Sequence, residues 1–344
     1  MKTEHRAIHT EVLRPRIIRT LANHFPSGTP VALVGYPHTW NIGDAALWAA
    51  ARQLLKDVGF RVRYCCSALN YDPDHLRRHH PEGPILLHGG GNVGDVYAQE
   101  QDLRLNVLRD FPERSFLQLP QSVWYRDTAS ASELRDHMAR AENFVFLARE
   151  EESLQRARDL LTPHALLCPD LVWGLNPLCV PVFHPCVDVL SVLRLDQEST
   201  GNSNALDAAK EVGLSAEQTD WPRPTASDWP WTRSDRLLET MVAPRATAPG
   251  GWLQNIIMDR PAWQLSWRKT CWGTVILQRG RVVLADRLHA ALLAHLLGKP
   301  AILLDNSYHK NRSTYATWQQ NLPLLHFASD LREGMALAKK LLAE

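Results

Sequence analysis

The chain has 344 residues, which is more than one hydrophobic core usually supports, so we expect two domains of about 150 to 180 residues each. Lys and Arg number 38 against 37 Asp and Glu, and this balance leaves no excess of positive charge to neutralise a nucleic acid. Apolar runs such as residues 291–297 are far shorter than the roughly 20 residues that span a bilayer, so the composition argues against a transmembrane protein.

The N-terminal segment MKTEHRAIHTEVLRPR lacks the apolar core of a secretory signal, which predicts a cytoplasmic protein. The six cysteines show no C-x-x-C spacing. We therefore expect reduced thiols rather than disulfides, and no metal site.

In the first half, apolar runs of strand length alternate with segments of helical periodicity. The predicted strands cover residues 31–36, 83–88, 115–120, 143–148 and 165–170, and the helical patterns cover 44–60, 103–111 and 150–161. Strands that alternate with helices favour a parallel, doubly wound sheet.

The segment LNPLCVPVFHP, residues 175–185, contains three prolines and is the best linker candidate. It predicts an N-terminal domain over 1–178 and a C-terminal domain over 179–344. A strand is predicted at 187–194, followed by a polar, tryptophan-containing segment, 197–234, that we interpret as a long insertion. Residues 281–305 then read as strand, helix and strand, and 329–344 as an amphipathic helix.

The loop NIGDAAL places Gly43 and Asp44 at a strand-to-helix turn, where free backbone amides favour anions. Asp44 could equally be an ordinary helix N-cap. Most of the twelve tryptophans are expected to pack in the interior, and Trp40, beside this loop, is the candidate platform for a sugar ring.

The segment HGGGNVGD has Gly89, Gly91 and Gly94 in the G-x-G-x-x-G order. The next predicted strand ends in Gln121 and Ser122 rather than in a ribose-binding carboxylate, which argues against a nicotinamide cofactor. The glycines still predict a backbone that is approached closely by a ligand or by another backbone. No motif of a P-loop NTPase, a serine hydrolase or a zincin occurs.

Three cations follow predicted strands or their short loops: Arg194, Arg287 and Lys310. The segment ADRLHA also places His289 beside Arg287, at the strand end where open α/β sheets bind ligands. Such residues can be solvated surface groups, and a single His can simply cap a helix. If they converge, they suit a small anion with several charges, with an imidazole that can transfer a proton.

Taken in order, these segments resemble the polysaccharide pyruvyltransferase family over most of the chain. The resemblance lies in NIGDAAL, HGGGNVGDVY, LQLPQS, LAREEES with Arg149, CPD with Asp170, VLR with Arg194, ADRLHA, and DNSYHK with Lys310. The chain differs from the family pattern mainly in the 197–234 segment and in Ala285, where many members have Ser.

The resemblance implies a GT-B-like fold, with two Rossmann-like domains facing across a cleft. It implies phosphoenolpyruvate as co-substrate, no further cofactor, and a saccharide acceptor, free or lipid-linked at the membrane surface. By resemblance, the donor site contains Arg194, Arg287, His289 and Lys310. The opposite, acceptor side is implied to contain Asn41, Gly89, Gly90, Gly91, Asn92 and Asp95.

We hypothesise that His289 transfers a proton, that the cations stabilise the departing phosphate, and that Asp44 accepts a proton from an acceptor hydroxyl. Two other hypotheses about the function stay open: a nucleotide-sugar glycosyltransferase of the GT-B type and a non-catalytic saccharide-binding protein. An oxidoreductase ranks third. Neither the sugar nor the oligomeric state follows from the sequence.

Overall fold

The computed structural model describes residues 9–175, 182–195, 204–225, 232–242 and 259–344. These residues form two β-sheets in which every strand pair is parallel. The first sheet is built from the N-terminal half of the chain and the second from the C-terminal half. The α/β class with parallel sheets, predicted from alternating strand and helix patterns, is confirmed.

The first sheet has seven strands in the order β2-β1-β3-β5-β6-β7, with β4 also paired to β5. Its strands are β1 Pro30–Val34, β2 Arg61–Cys66, β3 Ile85–Leu87, β4 Gly90–Gly94, β5 Ser115–Trp124, β6 Asn143–Ala148 and β7 Ala165–Leu167. The second sheet has five strands in the order β12-β11-β10-β8-β9. Its strands are β8 Val187–Val192, β9 Ala216–Thr219, β10 Gly280–Ala285, β11 Ala301–Leu304 and β12 Leu325–Ala328.

Helices connect most of these strands. The α-helices are α1 Arg14–Ala22, α2 Ile42–Asp57, α3 Pro73–His79, α4 Ala98–Asp110, α5 Ala131–Arg140, α6 Glu151–Leu160, α7 Ala205–Glu211, α8 Thr232–Val242, α9 Asp259–Leu277, α10 Leu288–Leu296, α11 Lys310–Thr314 and α12 Leu331–Ala343. Short 3-10 turns cover Thr128–Ser130 and Leu171–Gly174, and π turns cover His9–Leu13 and Tyr315–Gln319.

Side chains that alternate along the central strands supply separate cores on the two faces of each sheet. In β1, Leu33 belongs to one core and Val34 to another. In β10, Val283 belongs to the same core as Leu33, and Leu284 faces a third core. One apolar core is therefore shared by the two sheets, and helices α2 and α9 pack against each other within it.

Two predicted features concern the connection between the two sheets. The predicted boundary between residues 178 and 179 lies outside the described residues, so it stays a prediction. Part of the predicted insertion is regular: α7 and β9 lie within it, and β9 extends the second sheet beside β8. The segment predicted as a long insertion thus contains a strand of the second sheet, whereas Trp229 and Trp231 lie outside the described residues.

No helix in the described part of the chain combines the length and the apolar character that a bilayer crossing requires.

Candidate active site

A cavity of about 310 Å³ lies where the carboxyl ends of strands from both sheets meet. Residues that line it come directly or almost directly after β1, β3, β6, β8 and β10: Gly35, His88, Arg149, Arg194 and Arg287. Parallel strands bring such loop residues to one edge of each sheet, which is where open α/β folds bind ligands. His289 and Lys310, at the starts of α10 and α11, complete the basic part of the lining.

The N-terminus of α2 forms one wall of the cavity. Asn41 is the N-cap, because its side chain accepts a hydrogen bond from the Gly43 amide at 2.9 Å. Asp44 therefore does not cap the helix. It lies in the first turn, lines the cavity, and accepts a hydrogen bond from the Thr39 hydroxyl at 3.2 Å. Burial raises the pKa of Asp44, while His289 and nearby arginines oppose that rise.

The glycine-rich segment forms a second wall as the short strand β4. The Gly91 carbonyl accepts a hydrogen bond from Lys310 Nζ at 3.0 Å, and a Cβ at Gly91 would lie 3.0 Å from Arg149 Nη2. A Cβ at Gly89 would instead lie 2.7 Å from the Pro120 carbonyl oxygen. The predicted approach of another backbone is thus confirmed at Gly89, whereas Gly91 faces basic side chains, and the approach of a ligand stays a prediction.

A buried ion-pair chain links the two sheets through His289. Asp170 is fully buried, and its Oδ2 atom lies 3.0 Å from Arg149 Nη1 and 3.2 Å from His289 Nε2. Arg149 also donates to the Ser122 hydroxyl at 2.6 Å and lies 3.3 Å from Glu150 Oε2. One carboxylate oxygen therefore positions both a guanidinium and an imidazole at the cavity wall.

The charge state of Asp170 defines the state of the His289 ring. Burial alone would raise the pKa of Asp170, but the contacts with His289, Arg149 and the Val172 amide outweigh burial and hold that pKa below its usual range. Asp170 is thus a carboxylate, which only accepts hydrogen bonds, so Nε2 of His289 carries the proton between them. Nδ1 remains as the nitrogen that can exchange a proton with a substrate.

Arg287 is held by a carboxylate from the end of β9. Its Nη2 donates to Asp220 Oδ2 at 2.8 Å, and its Nε donates to Asp220 Oδ1 in the same bidentate pair. The Trp221 amide donates to Asp220 Oδ1 at 2.8 Å, and Trp221 itself lines the cavity. A planar fork paired in this way has a defined orientation, which suits the recognition of a phosphate or carboxylate group.

Lys310 is positioned by a strained loop. The preceding residue, His309, has a φ of 57°, in the left-handed region that non-glycine residues rarely adopt. The His309 ring is paired with Asp305 at 2.7 Å, and the Asn306 side chain accepts the Lys310 amide at 2.9 Å. These contacts hold the loop so that the buried Lys310 reaches across to the first sheet.

Arg194 is tied to the ADRLHA segment through its backbone. Its amide donates to Asp286 Oδ1 at 2.9 Å. Asp286 is 1% exposed, and its other carboxylate oxygen has no hydrogen-bond partner among the described residues. Burial raises the pKa of Asp286 to about 6, against the opposing charges of Arg194 and Arg287.

Comparison with known proteins identifies the family of the chain. Residues 41–190 match the family model described as polysaccharide pyruvyl transferase. Pyruvyl transferase 1 of Schizosaccharomyces pombe is 30% identical over 324 residues, which cover 90% of this chain and 75% of that protein. The chain belongs to the polysaccharide pyruvyl transferase family. It is therefore an enzyme that transfers a pyruvyl group.

Two further proteins are similar to this pyruvyltransferase. EpsO of Bacillus subtilis, which is named as a pyruvyl transferase, is 26% identical over 331 residues, covering 92% of this chain and 93% of that protein. The crystal structure of a functionally uncharacterised protein of Klebsiella pneumoniae matches with a TM-score of 0.60 at 17% identity, covering 93% of this chain and 99% of that chain. The likeness to this solved structure concerns the fold alone.

The structure brings most of the predicted site residues of the pyruvyltransferase together. Those that line the one cavity are Asn41, Asp44, Gly89, Gly90, Gly91, Asn92, Arg194, Arg287, His289 and Lys310. Asp95 is not in that lining, because its carboxylate accepts the backbone amides of Arg126 and Asp127. Trp40 is also not in the lining, and its ring is instead covered by Arg223 and Lys269, at 5.0 and 4.7 Å from its centroid.

Sequence reasoning missed three residues that organise the site: Arg149, Asp170 and Asp220. Arg149 and Asp170 stood in the segments that carry the family resemblance, but neither was assigned to the site. A signal for both existed, since each charged residue follows the carboxyl end of a strand within a few residues. Asp220 had no such signal, because β9 is short and lies in a polar segment.

Gly43 lies against the His289 ring, and we predict that a larger residue at position 43 lowers kcat. A Cβ at this position would lie 2.6 Å from His289 Nδ1, which is too close for any side chain. Gly43→Ala should displace the imidazole and lower kcat about 10- to 100-fold. Steady-state kinetics in the wild-type and His289→Ala backgrounds tests this, because the substitution should have no further effect once the imidazole is absent. An equal loss in both backgrounds would contradict the prediction.

Asp286 should make the stability of the enzyme fall as the pH rises from about 4 to 6. The pKa of Asp286 in the folded state is about 6, above that of an unfolded aspartate. Between these two pKa values the folded state binds more protons than the unfolded state, so the free energy of unfolding decreases as the pH rises. Asp286→Asn should remove this pH dependence. Between pH 4.5 and pH 7.5 the free energy of unfolding of the variant should therefore increase, relative to that of wild type, by on the order of 2 kcal/mol.

Urea unfolding at the two pH values measures the Asp286 effect. Asp188→Asn is a control that should leave the pH dependence between these values unchanged. Hydrogen bonds from Ser215 lower the pKa of Asp188, so its stabilising effect is lost only at lower pH. A wild-type stability that rises through this window, with Asp286→Asn following it, would show that Asp286 titrates normally.

Proposed function

We propose that the pyruvyl donor is phosphoenolpyruvate and that the acceptor is a saccharide that receives the pyruvyl group as a ketal on two hydroxyls. The single observation that carries this proposal is the lining of one small cavity by Arg149, Arg194, Arg287 and Lys310 together with His289. Phosphoenolpyruvate carries a phosphate and a carboxylate on three carbons, so it matches a compact group of cations. No further cofactor is proposed.

The proposed chemistry balances its protons within the cavity. His289, in its imidazolium form with the Nε2 proton held by Asp170, gives its Nδ1 proton to the methylene carbon. One acceptor hydroxyl then adds to the central carbon, the bond between that carbon and the phosphate oxygen breaks, and the second hydroxyl adds in its place. The two acceptor hydroxyls release two protons. One restores the proton that His289 gave to the methylene carbon, and the other leaves with the phosphate. Asp44, whose pKa is raised by burial, is suited to accept a hydroxyl proton.

The cations stabilise negative charge as it moves onto the departing phosphate. Arg287 and Lys310 are both buried and both held by defined partners, so little reorganisation is needed when that charge develops. We further propose that the enzyme acts in the cytoplasm in the synthesis of an exopolysaccharide or cell-surface glycan. In this proposal its two Rossmann-like halves face each other across a GT-B-like cleft.

Mass spectrometry of oligosaccharides incubated with the enzyme and phosphoenolpyruvate tests the reaction. A mass gain equal to a pyruvate ketal, with release of phosphate, is expected. A rival nucleotide-sugar glycosyltransferase would be stabilised thermally by UDP- or GDP-sugars and not by phosphoenolpyruvate. A non-catalytic saccharide-binding protein would bind the oligosaccharide and release no phosphate.

A further inference from the structure

A second recess opens from the active-site cavity, and it has a different chemical character. It is lined by Ala68, Tyr71, Gln99, Asp102, Leu103 and Asn106, which we call the outer groove. Ala68, Gln99 and Leu103 also line the active-site cavity. The two recesses therefore adjoin each other along these three residues.

One face of helix α4 forms the first wall of the outer groove. Gln99, Asp102, Leu103 and Asn106 are spaced i, i+3, i+4 and i+7, which places them on a single helical stripe. Leu103 is buried and faces the core, whereas none of the three polar side chains is hydrogen-bonded to another described residue. By contrast, Arg104 of the same helix is bound to Gln101, Gln118 and Asn92. The polar groups along the groove are thus available to a ligand.

The opposite wall follows β2 and is fixed in place. The Ser67 amide donates to Asn70 Oδ1 at 2.7 Å, which closes the turn that carries Ala68 and Leu69. The Tyr71 hydroxyl donates to Asp110 Oδ2 at 2.9 Å, so the aromatic ring is anchored across the groove to the end of α4. Leu69, at the junction with the cavity, is 47% exposed and presents an apolar surface.

The charge of the outer groove is opposite to that of the donor end. Among the described residues that line it there is no Lys, Arg or His, and its one charged side chain is Asp102. Glu100, one residue away from Gln99, lines the adjoining part of the cavity. Two carboxylates and no cation disfavour a phosphate, a diphosphate or an acidic sugar, whereas amides, a carboxylate and an aromatic face suit the hydroxyls and C–H surfaces of a neutral sugar.

We propose that the outer groove binds the neutral sugar residue that adjoins the pyruvylated sugar, so that the acceptor is an oligosaccharide of at least two units. This inference rests on the proposed saccharide acceptor and names its class. The target sugar occupies the cavity between Asp44 and the donor cations, and the next sugar lies along α4 between Asn106 and Tyr71.

Acceptor kinetics test the proposal. A panel of p-nitrophenyl hexosides first identifies a pyruvylated monosaccharide, and disaccharides that join it to a neutral hexose or to a hexuronic acid are then compared. With wild type, the neutral disaccharide should have a KM about three- to tenfold below that of the monosaccharide. Asn106→Ala should remove this advantage without changing the KM of the monosaccharide or of phosphoenolpyruvate.

Charge and specificity are tested by a second variant and a control. The uronyl disaccharide should have a higher KM than the neutral disaccharide, because its carboxylate is repelled by Asp102. Asp102→Asn should reduce the difference between these two KM values. Gln155→Ala, which removes a side-chain amide from α6 at a position outside both recesses, should behave as wild type. Equal KM values for the monosaccharide and the neutral disaccharide in wild type, or an equal shift of both in Asn106→Ala, would overturn the proposal.

Failure of the proposed function is distinguishable from failure of this inference. If no acceptor gains a pyruvyl group, the donor or acceptor assignment is wrong. Calorimetric titration with a neutral trisaccharide then measures binding to the outer groove without any reaction. Binding by wild type that weakens in Asn106→Ala supports the groove, and binding that is absent or unaffected by the substitution rejects it.

Discussion

Replacing His289 with alanine is expected to lower kcat for pyruvyl transfer by about 10²- to 10⁴-fold, which is the usual contribution of a positioned proton donor. The phosphoenolpyruvate-dependent thermal stabilisation should be kept, because the guanidinium and ammonium groups that hold the donor remain in place. Rates and thermal shifts measured on the same preparation separate the two effects.

The matched control for this experiment is His164→Ala, which removes an exposed imidazole that does not line the cavity. His164→Ala should leave both kcat and the thermal stabilisation by phosphoenolpyruvate unchanged. A His289→Ala enzyme with near-normal transfer and normal donor binding would show that another group supplies the proton.

The second large effect is expected from Asp170→Asn. Its Oδ2 atom contacts both Arg149 and His289, and an amide provides neither the negative charge nor a second accepting oxygen. Both the guanidinium and the imidazole should shift, so kcat should fall about 10²-fold and the KM for phosphoenolpyruvate should rise as well. His289→Ala, by comparison, should change kcat alone.

A double-mutant cycle shows whether Asp170 acts through His289. The loss in kcat from Asp170→Asn should be much smaller in the His289→Ala background, because the imidazole it positions is gone. Urea unfolding is needed beside the kinetics, since a buried Arg149 with a weakened partner costs stability. Fully additive losses in kcat, in variants that remain folded, would refute the positioning role.

Much of the fold was predictable because it depends on local patterns. The residues of β6 and of the β10, α10 and β11 unit show the apolar runs and helical periodicity that parallel α/β structures require. Strand ends then indicated where ligands bind, and Arg194, Arg287, His289 and Lys310 do line one cavity. Their individual roles in binding and catalysis stay predictions.

Other features were not predictable because they depend on contacts between distant residues. The glycine-rich segment pairs with β5 as a strand, although glycine has a low strand propensity, and the pairing follows from tertiary packing. Asn41 and Asp44 are both good N-caps, and the backbone geometry selects Asn41. Asp220 lies 67 residues from Arg287, so no local pattern could join them.

The contacts that build the site also join the two sheets. His289 belongs to the second sheet and Asp170 to the first, and Lys310 of the second half donates to Gly91 of the first. If the halves separated, the His289 imidazole would lose the Asp170 carboxylate and Lys310 would lose the Gly91 carbonyl in the same movement. Separation of the halves would therefore break both contacts together, so we expect a ligand that bridges them to raise the free energy of that separation.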